Sequence, residues 1–84
     1  MSQSNWRFMD LGNSLRKEHL IELANYKMPF GKYKDQYLVN IPEYYYTWFQ
    51  QKGFPQGKLG KLMQEMNEIK INGLEELIRP LIVR

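Results

Sequence analysis

Pro29 and Gly31 stand two residues apart in the stretch Met28-Pro29-Phe30-Gly31-Lys32-Tyr33-Lys34, and together they forbid a helix there. Proline has no N–H to give a helix interior, and glycine is costly within one. The stretch reads instead as a short extended segment that bends tightly, with Lys32 and Lys34 on the side opposite Tyr33. Residues 28–34 and 36–40 then make two short strands joined near Asp35, a β-hairpin. Tyr37, Leu38 and Val39 are good strand formers, although the turn lacks an Asn-Gly or Asp-Gly pair.

Helical periodicity occupies the rest. Residues 1–10 read as a flexible N-terminal arm, which Trp6 and Phe8 can dock, and residues 11–84 read as a single small domain. Asn13 or Ser14 can cap a helix near 14–26, with Leu15, Leu20, Leu23 and Ala24 at helical spacing. Pro42 suits the first turn of a second helix, which Gly53 stops and Pro55 keeps from continuing. Phe54 is placed to fold back on it. On that helix Tyr45, Trp48 and Phe49 share a face, and Tyr46 with Gln50 points outward. The third helix carries the stripe Leu59, Leu62, Met63, Met66 and Ile69 and ends at Asn72-Gly73. A last short helix runs from Leu74 to Arg79, ahead of Pro80. The expected fold class is α+β, mostly helical, with about four helices and the hairpin between the first and second.

Several function classes fall away. With 84 residues the chain holds one domain and a thin stability margin. No cysteine is present, which removes disulfides, thiolate chemistry and cysteine zinc sites and fits a reducing compartment. No window approaches the ~20 apolar residues of a membrane span, and no secretory leader is evident. The expected location is the cytoplasm. A metal site needs several ligands, and His19 is the only histidine, with Glu22 one turn away as its sole companion. Glu65 and Glu68 lie one turn apart, but on an exposed helix face such carboxylates serve solubility and charge pairing, as with Lys61 and Glu65. No nucleophile has a base beside it. The sequence therefore offers no catalytic residue, no metal, no cofactor, no small-molecule substrate and no enzyme.

What remains is charge and rings. Residues 1–27 carry +1, residues 28–61 carry +3 and residues 62–84 carry −1, and the middle segment holds nine of the twelve aromatics. Lysines interleaved with aromatics suit nucleic acid, through phosphate pairing and base stacking. A solvated lysine face over an aromatic core explains the same pattern and is the commoner arrangement. In residues 53–61, Gly-Phe-Pro-Gln-Gly-Lys-Leu-Gly-Lys, a helix start with Lys58 and Lys61 in its first turns favours an anion. The same residues also describe a tight connection in which Gly60 permits close packing. Tyr44, Tyr45 and Tyr46 cannot all face inward, so one ring meets a base, another copy of the chain or water.

Three blocks resemble a known family. Met28-Pro29-Phe30-Gly31-Lys32-Tyr33-Lys34 is similar to the signature of the "putative quorum-sensing-regulated virulence factor" family. So are Trp48-Phe49 with Lys52-Gly53-Phe54-Pro55 and Gly57-Lys58-Leu59-Gly60, and Glu68-Ile69-Lys70-Ile71-Asn72-Gly73-Leu74-Glu75 closed by Arg79-Pro80-Leu81. The first block also resembles a module that follows the catalytic domain of some DnaQ-like exonucleases. Where the family usually has glycine, this chain has Asp35, a residue that tolerates the left-handed region better than most. The resemblance implies an α+β helical domain without an established activity, and a role in nucleic-acid contact or protein docking. It carries Lys32, Tyr33, Lys34, Trp48, Lys58 and Lys61 over as a candidate nucleic-acid-binding surface. A protein-interaction or homodimerisation module is the alternative, suggested by the aromatics of 44–49 and five methionines.

Overall fold

Helix α3 (Gly57–Ile71) is the element on which the others are assembled. The structure, a computed structural model, describes residues 16–83. In chain order these form α1 (Lys17–Asn25), a 3-10 turn at Leu38–Asn40, α2 (Glu43–Lys52), α3, and two further 3-10 turns at Glu75–Leu77 and Arg79–Leu81. The expected arm at 1–10 and the caps Asn13 and Ser14 lie outside the described residues.

The α+β expectation needs correction. Among the described residues there is no β-strand and no sheet, so the fold class is helical. In place of the hairpin stands one isolated antiparallel bridge between Lys27 and Tyr37. The chain does turn back on itself, but earlier than expected. The Leu38 N–H donates to the Tyr26 carbonyl at 3.2 Å, the Met28 N–H to Gln36 at 2.9 Å and the Asp35 N–H to Met28 at 2.8 Å. Residues 29–34 are thus the loop and not a strand. Pro29 has no N–H to extend the pairing, and the backbone reverses through Gly31 (φ 80°) and Asp35 (φ 71°). The aspartate does adopt the left-handed conformation that a glycine would take there. The second expected strand fails for a different reason. Leu38, Val39 and Ile41 are all fully buried. A strand would send Leu38 and Val39 to opposite faces, whereas a 3-10 turn lets both enter one core.

Helix α3 follows its pattern. Leu59, Leu62, Met63 and Met66 are buried against Leu23 and Ala24 of α1, Met28, the 38–41 segment, Tyr46 of α2, and Ile78 and Ile82 beyond α3. Its end is a Schellman motif: the Leu74 N–H bonds the Ile69 carbonyl and the Gly73 N–H bonds Lys70, with Gly73 at φ 67°. The expected short helix at Leu74–Arg79 is instead the last two 3-10 turns. Pro80 sits inside the second, because a single 3-10 turn does not need its missing N–H.

Two buried polar side chains hold the central turn. The Tyr46 hydroxyl donates to the Leu38 carbonyl at 2.7 Å, and the Lys70 Nζ donates to the Val39 carbonyl at 2.8 Å. The same ammonium lies 5.9 Å from the Tyr46 ring centre. Tyr46 was expected to face outward, yet it is fully buried. Its hydroxyl has a partner, so the ring can enter the core without orphaning a polar atom. The inward face of α2 is therefore Tyr45, Tyr46 and Phe49, and Trp48 turns toward water.

Stability should respond to alkali accordingly. Burial pushes the Tyr46 phenol well above its usual range, so above pH 10 the unfolded chain sheds a proton that the folded chain keeps. Stability then falls as pH rises past 10. Burial pushes the Lys70 ammonium down, so just below pH 10.5 the unfolded chain holds the extra proton and stability rises with pH there. Urea midpoints between pH 8 and 11.5 should climb slightly and then drop. Tyr46→Phe should cost about 1 kcal/mol at neutral pH and flatten the drop. A Tyr46→Phe profile as steep as that of the unaltered chain would show that other tyrosines govern it.

Candidate nucleic-acid interface

A row of aromatic rings runs from the 30–35 loop along α2. Tyr33 meets Tyr45 edge-on at 4.7 Å, Tyr45 meets Phe49 at 5.1 Å, and Phe49 meets Trp48 at 5.0 Å and stacks on Phe54 at 6.0 Å. These are the offset and edge-to-face geometries that aromatic quadrupoles favour. Phe54 folds back because Gly53 ends α2, its N–H bonding the Phe49 carbonyl. The inner side of the row lies against the core. Its outer side is open: Tyr44 is 63% exposed and Trp48 50% exposed, one helical turn apart.

The loop and the helix are joined at this surface. The Tyr33 and Tyr44 hydroxyls lie 2.6 Å apart. That hydrogen bond, with a smaller contribution from desolvation, pushes the Tyr33 phenol up to about 12. The Lys32 ammonium lies 5.5 Å from the Tyr33 ring centre, a cation–π contact. Lys34 is exposed on the same loop, and Lys52 is exposed four residues beyond Trp48. Asp35 and Glu43 supply the acidic charge of this region.

Of the six sequence-predicted residues, the contacts link Lys32, Tyr33 and Trp48 through the ring row, and Lys34 shares their loop. Lys58 and Lys61 belong to the first turns of α3. Lys58 is committed elsewhere: its ammonium pairs with Glu22 of α1, and that pairing raises its pKa. Lys61 is exposed. Gly60 has no room for a side chain. An added Cβ would lie 1.7 Å from the Pro55 carbonyl oxygen, so the residue serves the tight connection between α2 and α3.

Sequence reasoning missed four residues. Tyr44 was passed over because the outward position was assigned to Tyr46, and the burial of Tyr46 leaves Tyr44 as the exposed ring of the three. His19 was weighed only as a metal ligand beside Glu22, yet its Nε2 lies 2.7 Å from Glu65 Oε1 and ties α1 to α3. Asn25 donates to the Ile21 and Leu81 carbonyls and accepts the Val83 N–H, so it clasps the C-terminal segment to α1. Lys70 was given no role of its own, yet it is buried and bonds the Val39 carbonyl. A lysine spaced to fall on the apolar stripe of α3, four residues after Met66, was the available signal. Among the described residues no group of three or more His, Cys, Asp or Glu side chains is placed to hold a metal ion. No described helix is long and apolar enough to cross a membrane.

These features define a small helical domain whose functional candidate is an open aromatic and lysine surface. Comparison with known proteins places it. The family described as "putative quorum-sensing-regulated virulence factor" matches residues 16–81, and the chain belongs to that family. The chain is similar to the "uncharacterized protein YpeB" of Escherichia coli strain K12, 54% identical over 68 residues that cover 80% of this chain and 94% of that protein. The YpeB of Escherichia coli O157:H7 matches to the same extent. No solved structure matches the chain.

Proposed function

We propose that the chain is a non-enzymatic binding module of the bacterial cytoplasm that contacts nucleic acid through Lys32, Tyr33, Lys34, Tyr44 and Trp48. The observation that carries this is the pair of open rings, Tyr44 and Trp48, beside a loop bearing two lysines. Rings offer π faces to bases and lysines offer charge to phosphates, the two components of sequence-tolerant strand binding. The pI of about 9.2 has the sign this requires. Lys58 drops out of the surface because Glu22 neutralises it locally.

Fluorescence anisotropy with labelled single- and double-stranded DNA and RNA across a salt series tests the reading. Affinity should fall linearly on a log–log plot, with a slope of about −0.7 to −0.9 per phosphate neutralised. Lys32→Glu with Lys34→Glu should weaken binding at least ten-fold at low salt and shallow the slope by at least about 1.4. No binding, or affinity indifferent to salt, overturns it.

A protein-interaction or self-associating module is the second reading. Ile71, Leu74 and Leu77, 44 to 63% exposed around the end of α3, favour it. Sedimentation at high concentration separates the two, since self-association through these residues should be lost in Leu77→Glu.

A further inference from the structure

We infer that the ligand of the Tyr44–Trp48 surface is an unpaired strand whose adjacent bases are parted, one on each ring. This rests on the nucleic-acid reading above and specifies its substrate class.

The spacing of the rings carries the inference. Residues four apart on a helix have Cβ atoms about 5–6 Å apart, and α2 presents Tyr44 and Trp48 in that relation. Stacked bases repeat at about 3.4 Å along a strand. Two bases that remain stacked on one another cannot each cover one of these rings. A strand that opens between them can, and each exposed base then recovers its lost stacking on an aromatic face. A duplex cannot open in this way without losing its pairs as well, at a cost of a few kcal/mol per base.

The surface is also held ready. The Tyr44 hydroxyl is tied to Tyr33 at 2.6 Å, and Tyr33 in turn packs edge-on against Tyr45. Trp48 and Phe49 meet edge to face at 5.0 Å. Both rings are thus fixed from below while their outer faces meet water, which reduces the ordering cost of binding. Lys32 and Lys34 at the Tyr44 end, and Lys52 one turn past Trp48, lie where the phosphates of such a strand would pass. Asp35 and Glu43 are the two acidic groups of the same region, and they limit the electrostatic share of the affinity. Stacking and phosphate pairing therefore share the affinity.

The experiment uses the full chain with an oligothymidine, a mixed-sequence single strand and the duplex of that same sequence, by anisotropy at fixed salt. The single strands should bind at least ten-fold more tightly than the duplex. Trp48→Ala and Tyr44→Ala should each weaken single-strand binding about ten-fold, and Trp48→Phe should restore most of the loss. In a Trp6→Phe background, Trp48 fluorescence should be quenched as the strand binds. Duplex binding equal to single-strand binding overturns this inference while leaving the nucleic-acid reading intact. A loss under two-fold in both alanine variants also overturns this inference and removes Tyr44 and Trp48 from the proposed surface. Failure of every oligonucleotide to bind overturns both.

Discussion

Gly60→Ala should lower the melting temperature by about 10 °C or more. The added Cβ would come within 1.7 Å of the Pro55 carbonyl oxygen and 2.9 Å of the Pro55 carbonyl carbon. Both atoms are backbone, in the short connection between α2 and α3, so no side chain can swing aside. Either the connection moves away or α3 starts later. Overpacking of this kind costs about 1–3 kcal/mol and occasionally more, and a backbone obstacle belongs at the upper end. Against it stands the gain of replacing glycine by alanine within a helix, about 1 kcal/mol. The clash exceeds the gain, and a marginal small domain feels the difference as a large fraction of its stability. Thermal melting followed by circular dichroism reads it. A melting temperature equal to or above that of the unaltered chain would mean that the connection is free to shift.

Lys70→Ala should be at least as damaging, at about 2–3 kcal/mol. The substitution leaves the buried Val39 carbonyl without its donor, which costs about 1–3 kcal/mol. It also strips the methylenes by which a buried lysine packs. Part of this is offset, because a desolvated ammonium no longer has to be kept in the interior. Lys70→Met separates the contributions: it keeps the stem and removes the charge, so it should cost less than alanine while leaving the same carbonyl bare. Urea titration of the two variants, with Tyr46→Phe and the double variants, completes a cycle. Tyr46 and Lys70 hold consecutive carbonyls and lie within cation–π range of one another, so their effects should fail to add by about 0.5 kcal/mol or more. Strict additivity, or a Lys70→Ala chain as stable as its parent, would show that the turn at Leu38–Asn40 does not depend on this pair.

The helices were legible because periodicity and punctuation agree in them. The stripe Leu59, Leu62, Met63, Met66 predicted the buried face of α3, and Asn72-Gly73 predicted its stop, since both signals are local. The segment 28–41 misled because its residues are strand formers by propensity while its outcome is set by tertiary burial. Propensity favoured Tyr37, Leu38 and Val39 in a strand, but consecutive apolar residues that all reach one core demand a tighter turn. Of the six candidate residues, Lys32, Tyr33 and Trp48 are linked through the ring row and Lys34 shares the loop of Lys32, whereas Lys58 is paired with Glu22, a partner 36 positions away that no spacing rule could supply. The direction of Tyr46 was hidden for the same reason: its acceptor, Leu38, belongs to a turn the sequence had cast as a strand.

The Asn25 clasp has a bearing on how the chain is made. Its partners, the Leu81 carbonyl and the Val83 N–H, lie 56 and 58 positions further on. A ribosome therefore delivers α1 long before the residues that fasten it. Until that stretch has emerged, the first helix lacks this clasp and has only its other contacts, such as His19 with Glu65 of α3, to hold it.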